Sequence, residues 1–459
     1  MYISEAFKLS YKYLIRYRRR YLFLFAALSF GFCIVTVIIS IKDGMERNVY
    51  FSAQGHYAGD LVISGSDEDS EINGHISNEY IKIINKAVKD TQIQPKKSVM
   101  RTQYFGDAAA FHNGETAVLK YLVGVDWQAE SDYIAALLKQ DAALSKTYAS
   151  NPDVLKSDVY KNDVSGIDAL GDTTILISEP IAQKIQARKG DSILVEIENR
   201  YGQKDTANFI VAGVFSDSSI FGFYKSFVSR TALNALAGFA EGECSIIGLY
   251  FSGSKAAETA RQRLQAALEG RLQISKLAQT RGEWDAERSK DWSSIMIFLL
   301  TLPVYLTEIT NILQSLNVLS FLLYIMMLII IFVSAAVTYR LIFYERTKEI
   351  ASMRAIGFYE NDIVLILSLE TALLATISLA AGFILALIAS AALTSLPFNW
   401  FPGMDMFLSG GSLSSVYKPA SVLFNALAIY VMLLPAVLLP ARTFTRMPLP
   451  RMLAGSTKE

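Results

Sequence analysis

The hydrophobic pattern is dominated by four long apolar stretches. From Tyr21 to Ile41 no charged residue interrupts about 21 residues, enough to cross the roughly 30 Å hydrocarbon core of a bilayer as a helix. A second uncharged interval lies between Glu308 and Arg340, with its apolar centre at Leu319 to Val337. A third runs from near Asp362 to about Ser390, interrupted only by Glu370, and a fourth from about Ala420 to Leu439. Each predicts a membrane-spanning helix. A shorter apolar piece, Ile295 to Leu306, contains Pro303 and is closed by Glu308. At about 12 residues it is too short to span, and it reads as an interfacial or re-entrant helix. If it did cross, every later loop would change sides.

Between Lys42 and Trp292 the pattern changes to that of a globular domain. Runs at Asp60 to Ser64, Val118 to Val125, Thr174 to Ile177, Ser192 to Ile197 and Phe209 to Phe215 alternate or are β-rich and predict strands. Ser77 is placed to cap a helix over Asn78 to Val88, and helical patterns recur near Trp127 to Lys139, Glu179 to Ala187 and Ala256 to Leu268. The polar stretch Asp141 to Asp172, with Pro152, Gly166 and Gly171, predicts a long loop or a seam between subdomains. The expected fold is therefore a membrane protein with four transmembrane α-helices and one large α+β extracytoplasmic domain inserted between spans one and two.

Charge sets the direction of the spans. Lys8, Lys12, Arg16, Arg18, Arg19 and Arg20 precede the first, Arg340, Arg346, Lys348 and Arg354 lie between the second and third, and Arg442, Arg446, Arg451 and Lys458 follow the fourth. All fall on one side, the cytoplasmic one by the positive-inside rule. A cleaved signal peptide is the rival for the first apolar run, but that run is long and ends at Ser40-Ile41-Lys42-Asp43 without a small-residue cleavage site. The resulting division is a cytoplasmic basic segment (1–20), span one (21–41), the extracytoplasmic domain (42–292), the interfacial segment (293–308), span two (309–340), a cytoplasmic helix (341–361), span three (362–392), an outer loop with Pro397, Trp400, Pro402 and Gly403 (393–418), span four (419–440) and a cytoplasmic tail (441–459).

Composition agrees with this mixture: of 459 residues, 52% are hydrophobic and 19% charged, too apolar for a soluble protein and too charged for spans alone. Lys+Arg and Asp+Glu balance at 43 each, so no global field favours nucleic acid. Cys33 and Cys244 lie far apart in an apolar run and a soluble stretch and read as packing residues. His56, His75 and His112 are widely separated and read as structural or surface residues. The sequence contains no G-x-S-x-G, no H-E-x-x-H and no P-loop. The chain is thus not expected to be an enzyme or to bind metal or cofactor, and ATP-dependent work would come from another polypeptide.

The most informative segment is Tyr344-Glu-Arg-Thr-Lys-Glu-Ile-Ala-Ser-Met-Arg-Ala-Ile-Gly357. On a helix Ile350, Met353 and Gly357 share a face, Glu345 and Glu349 stack at i,i+4, and Gly357 supplies a stop. It reads either as a solvated connector or as an amphipathic helix whose apolar ridge docks in a partner's groove. The segment resembles the coupling helix of the FtsX/MacB-like permease superfamily, close to E-R-x-x-E-I-x-x-x-R-A-I-G, with Glu345, Arg346, Glu349, Ile350, Arg354, Ala355, Ile356 and Gly357 at the matching positions. Lys348 and Met353 complete the expected ATPase-coupling set. The chain's end, Pro440-Ala-Arg-Thr-Phe-Thr-Arg-Met-Pro448, is similar to the closing P-A-x-x-A-x-x-x-P of such permeases, with Phe444 where a small residue is usual. Ile177 to Asp191 with Lys189-Gly190-Asp191, and Val211 to Phe215, resemble strands of the MacB-like periplasmic domain.

The junction Ser40 to Glu46, with Gly55-His56 and Asp60 to Ile63, is similar to that of lipoprotein-releasing permeases of the LolC/LolE type. The resemblance implies a transmembrane subunit that transmits motion from a cytosolic ABC ATPase dimer, which uses ATP and Mg, to an outer domain. It also implies a second permease, either a homodimer mate or a paralogue, and a lipoprotein substrate or periplasmic partner at a bacterial inner membrane. MacB-like efflux of peptides or drugs, and FtsX-like regulation of a cell-wall hydrolase, are the alternatives. Val35, Ile38, Ile39 and Ile41 in the outer half of span one are then candidate acyl contacts, against ordinary lipid-facing packing. Glu370, roughly 12 Å into span three, is costly there and is expected either to be paired or to snorkel, or else to relay motion. The run Ile220-Phe-Gly-Phe-Tyr224 reads as an aromatic loop or as buried packing.

Overall fold

The computed structural model describes residues 3–66, 75–104, 106, 108–138, 170–215, 225–290, 295–396, 398, 407–408 and 412–445. Most of the polar stretch from Asp141, the Ile220 to Tyr224 run, Pro397, Trp400, Pro402, Gly403 and the tail from Arg446 lie outside the described residues. The chain forms two compact units, one of Met1–Glu46, Leu313–Pro397 and Ser412–Glu459, the other of Arg47–Ile312 and Phe398–Gly411.

In chain order, helix α1 (Ile3–Arg16) is followed by α2 (Arg18–Tyr57), which is 40 residues long, or about 60 Å. Strand β1 (Leu61–Ser66), helix α3 (Asn78–Asp90), strands β2 (Lys97–Tyr104), β3 (Ala109–His112), β4 (Glu115–Val118) and β5 (Tyr121–Val125), and helix α4 over 131–138 come next. Then follow β6 (Thr174–Ser178), α5 (Glu179–Ile185), β7 (Ser192–Glu198), β8 (Lys204–Phe215), β9 (Lys225–Ser229), α6 (Arg230–Ala237), β10 (Ile246–Tyr250), α7 (Ser254–Leu268) and α8 (Arg281–Arg288). The chain closes with β11 (Met296–Thr301), α9 (Leu302–Tyr305), α10 (Thr307–Glu345), α11 (Thr347–Ala355), α12 (Glu360–Thr394) and α13 (Pro419–Thr445).

Four helices are long and apolar enough to cross a membrane, over Tyr21–Tyr57, Thr307–Glu345, Glu360–Thr394 and Pro419–Phe444. The chain is a membrane protein with four such helices and a large α+β domain. The first two helices outrun the apolar stretches that announce them; in α2, charged and polar residues such as Lys42, Asp43 and Glu46 continue the helix with no proline to stop it. In the helical unit Leu24, Leu28, Phe32, Ile331, Ala335, Tyr339, Phe343, Leu367, Leu374, Ile429 and Leu433 form one buried core. Small residues set its close approaches: a Cβ on Gly382 would lie 2.5 Å from the Ser29 carbonyl oxygen, the short helix–helix distance that glycine permits in a bilayer.

The other unit is an 11-stranded mixed sheet in the order β11-β1-β10-β2-β5-β9-β6-β8-β7-β3-β4. The β11-β1-β10-β2 part is antiparallel, while β5/β9 and β6/β8 pair in parallel. Ser77 caps α3 as its position predicts, accepting from the Tyr80 amide. Gly190, at φ +94°, turns the Lys189-Gly190-Asp191 corner, where its amide bonds the Val211 carbonyl.

Two expectations are corrected. Ile295 to Leu306 is not an interfacial helix: Met296–Thr301 is strand β11, paired with β1 in the register Leu61↔Thr301 to Ser66↔Met296, and all six of its residues are buried. Ile297 and Leu299 face one core, and Met296, Phe298 and Leu300 the opposite one. A strand covered on both faces is apolar throughout and loses its alternation. The globular domain accordingly extends beyond Trp292 through this strand. Val118 to Val125 is likewise two strands, β4 and β5, separated at Leu119-Lys120.

Candidate coupling site

Helix α10 bends into α11 at Arg346 (φ −95°, ψ 6°). The Thr347 hydroxyl donates back to the carbonyls of Phe343 and Tyr344, both at 2.9 Å, a side-chain bond that competes with helix geometry and favours a bend. Helix α11 ends in a Schellman turn. The Phe358 amide bonds the Met353 carbonyl and the Gly357 amide the Arg354 carbonyl, each at 3.1 Å, and Gly357 stands at φ +108°. Phe358 and Met353 both pack against the bundle core, and Ile350 and Ala351 belong to it.

This geometry corrects the expected docking ridge. Ile350, only 2% exposed, and the half-buried Met353 face the chain's own spans. The outward face carries Tyr344, Glu345, Lys348, Ser352, Ala355, Ile356 and Gly357, with Ile356 80% exposed and Tyr359 beyond it 79% exposed. The helix end therefore offers a partner an isoleucine and a tyrosine rather than the Ile350–Met353 ridge. Arg354 lies 3.8 Å from Glu360 at the start of α12.

Arg346 does not face that surface. Its side chain is 3% exposed and Nη1 lies 2.9 Å from Oε2 of Glu370, whose own side chain is 2% exposed. The Tyr21 hydroxyl donates to Glu370 Oε1 at 2.7 Å and also accepts from Arg346 Nη1 at 3.4 Å. Arg346 Nε donates to Glu349 Oε2 at 3.4 Å, and the Tyr17 hydroxyl donates to Glu349 Oε1. The guanidinium carbon sits 4.7 Å and 5.2 Å from the ring centroids of Tyr13 and Tyr17, within the range of cation–π attraction. Burial alone would lower the Arg346 pKa, but Glu370 and Tyr21 outweigh it and hold the group above its ordinary value, so it stays charged. The bond to Glu349, followed by burial, raises the Tyr17 hydroxyl above its usual range.

One buried network thus joins the α10–α11 bend, α12 through Glu370, α2 through Tyr21, and α1 through Tyr13. Glu370 is paired with Arg346 and Tyr21. Tyr13, Tyr17 and Tyr21 were not singled out by sequence reasoning, although their i, i+4, i+8 spacing in a basic segment marks one helical face. Phe444, where a small residue was expected, is 4% exposed and packs its ring 4.8 Å from that of Tyr344 and 5.8 Å from that of Phe343.

In the second half of the 21–41 apolar stretch, Val35 is 3% exposed and Ile41 packs against the Cys33, Val37 and Ala386 cluster with Ala389 and Leu393. Burial within the chain's own bundle removes Val35 as an acyl contact, while Ile38 and Ile39 remain half-exposed.

In the sheet unit, buried Arg101 pairs with Glu130 and donates from Nη1 to the carbonyls of Gly55 at 2.7 Å and His56 at 3.1 Å, which fastens the last turn of α2 to β2. Asp60 accepts from Gln54 Nε2 and the Phe251 amide, both at 2.7 Å. The histidines have separate surroundings: His56 meets Lys225 Nζ at 3.0 Å, His75 stacks on Phe239, and His112 meets the Ser192 carbonyl. Cys33 and Cys244 are buried and free, and burial pushes the Cys244 thiol up to about 12. Among the described residues no group of His, Cys, Asp and Glu is arranged to hold a metal ion.

Residues 321–449, which contain α11, α12, the whole of α13 and most of α10, match the family model described as FtsX-like permease C-terminal. The chain carries an FtsX-like permease domain. The segment that carries the coupling motif therefore lies within that domain. No curated protein matches the chain. Among solved structures it is similar to the periplasmic region of MacB from Actinobacillus actinomycetemcomitans, at 11% identity over 56% of this chain and 95% of that one, with a TM-score of 0.29. The likeness to the lipoprotein-releasing branch is not among these findings.

Proposed function

We propose that this permease subunit transmits motion from a separate cytosolic ABC ATPase dimer, which uses ATP and Mg, to the release of lipoproteins from the outer leaflet of a bacterial inner membrane. The observation that carries the reading is the buried Arg346–Glu370–Tyr21 network. A push on α11 is resisted at Arg346 by groups on α12 and α2, so α11 does not move independently of those helices. The exposed face from Tyr344 to Tyr359 is where the ATPase docks, with Ile356 and Tyr359 as apolar anchors and Glu345 and Lys348 setting register. The basic segments around α1, α11 and the C-terminal tail support a cytoplasmic side for this face and both termini, with the sheet domain outside.

Acyl chains would leave the outer leaflet beside Ile38 and Ile39, the half-exposed pair of the outer α2 face, at a contact with a second permease, either another copy or a paralogue. The LolC/LolE-like junction after span one supports lipoproteins as the cargo. The test is purification of the full chain in mild detergent after co-expression with its native neighbours, followed by mass spectrometry of what is retained. An ATPase with acylated proteins supports release. An ATPase with a wall hydrolase points to FtsX-like regulation, an outer-membrane channel with an adaptor to MacB-like efflux, and no ATPase contradicts the coupling assignment.

A further inference from the structure

Helix α1 has three faces that follow one another around its circumference. At about 100° per residue, Ser10 and Leu14 fall on one arc, Phe7, Tyr11 and Ile15 on the next, and Lys8, Lys12 and Arg16 on the one after, with Arg19 of α2 continuing the last. The first arc packs inward: Ser10 Oγ donates to the Ile366 carbonyl of α12 at 2.9 Å, and Leu14 belongs to the bundle core. The second is an apolar ridge in which Phe7, Tyr11 and Ile15 are 47%, 51% and 52% exposed. The third is basic and exposed at every position.

An exposed apolar ridge bordered by a cationic strip is the pattern of a helix lying in a membrane interface. Continuity with a span fixes the location, because Tyr17 alone separates α1 from α2 and the candidate span begins at Tyr21. A helix tethered that closely to the point of membrane entry has the headgroup layer within reach along its whole length. Charge complementarity fixes the class of lipid, since Lys8, Lys12, Arg16, Arg18 and Arg19 are all exposed while Glu5 is the one acidic residue described in α1.

We propose that α1 is an anionic-lipid-binding helix, with Phe7, Tyr11 and Ile15 seated among the acyl chains at the interface and Lys8, Lys12 and Arg16 on lipid phosphates. The same helix carries Tyr13, and Tyr17 follows it, the two rings that flank Arg346 at the coupling bend. Headgroup binding therefore holds the wall of the coupling network in place, and lipid composition regulates how firmly the bend is coupled. Neither point depends on which cargo the permease serves.

The test uses the full chain with Tyr11→Cys carrying an environment-sensitive fluorophore; the native Cys33 and Cys244 are buried. The labelled protein is reconstituted into phosphatidylcholine vesicles with or without phosphatidylglycerol. With phosphatidylglycerol the label should be quenched by acyl-brominated lipid and shielded from aqueous iodide, and the shielding should fall as salt rises. Changing Lys8, Lys12 and Arg16 to Gln should weaken retention of phosphatidylglycerol by about five-fold per charge; these side chains are exposed, and the salt series on the unsubstituted charges gives a second reading free of any folding defect. A label open to iodide in both kinds of vesicle would overturn the proposal, as would one equally lipid-buried with and without phosphatidylglycerol.

Discussion

Breaking the Arg346–Glu370 pair should destabilise the helical unit far more than loss of an ordinary ion pair. Side-chain exposures of 3% and 2% put the pair outside the regime of surface bridges, which contribute about 0–1 kcal/mol. Removing one member of a buried pair leaves an uncompensated charge and costs about 3–5 kcal/mol. For a unit of this size each kcal/mol shifts the melting temperature by about 2–4 °C, so Arg346→Met or Glu370→Leu should lower it by about 6–20 °C. The assay is thermal exposure of a buried thiol in detergent. Cys33 lies in the helical unit and Cys244 in the sheet unit, so a Cys244→Ala background reports the helical unit alone. The double variant Arg346→Met/Glu370→Leu should recover most of the loss, because apolar side chains replace a desolvated pair at little cost. Single shifts below about 2 °C, or a double variant whose loss is the sum of the singles, would refute a tightly coupled buried pair.

Other expectations rest on the same contacts. Ile356→Glu should abolish ATPase binding and leave the melting temperature within about 2 °C of the parent, whereas Ile350→Asp should unfold the bend, since Ile350 is 2% exposed; equal effects on binding and stability would contradict the assigned faces. Gly357→Ala, at φ +108°, should cost about 1 kcal/mol, read from the same thiol assay. Arg101→Met should cost about 3–5 kcal/mol and expose the amides at the end of α2 to hydrogen exchange, because its guanidinium holds the Gly55 and His56 carbonyls. Exchange over Met296–Thr301 should be slow in detergent and in bilayer alike, as for a sheet strand; protection that appears only in a bilayer would restore an interfacial helix.

The large architecture was legible because length and charge carry it. Long apolar runs announced the four long helices, and the E-R-x-x-E-I motif announced the segment after the second. What periodicity concealed was the environment of each face. Ile350 and Met353 form an apolar ridge on a helix, yet nothing in the pattern says whether that ridge meets the chain's own spans or a partner. Met296 to Thr301 looked like a membrane element because a strand buried on both faces has no polar side. Arg346 and Glu370 stand 24 residues apart, on either side of a turn, and Tyr21 is more than 300 residues away, so their meeting is a property of helix packing that no local spacing encodes. Arg101 with Glu130 is concealed in the same way, because the carboxylate is brought to it by the turn before α4.

The central claim is that the buried network passes motion from α11 to the spans. The most direct measurement is ATP hydrolysis and lipoprotein release, recorded together, in the reconstituted complex carrying Glu370→Gln, which keeps the shape of the side chain and removes the charge that holds Arg346. The account predicts that the ATPase still binds and hydrolyses ATP while release per ATP falls by about ten-fold or more, in line with loss of at least about 1.4 kcal/mol of coupling. Unchanged release per ATP in a folded, ATPase-bound Glu370→Gln complex would contradict it.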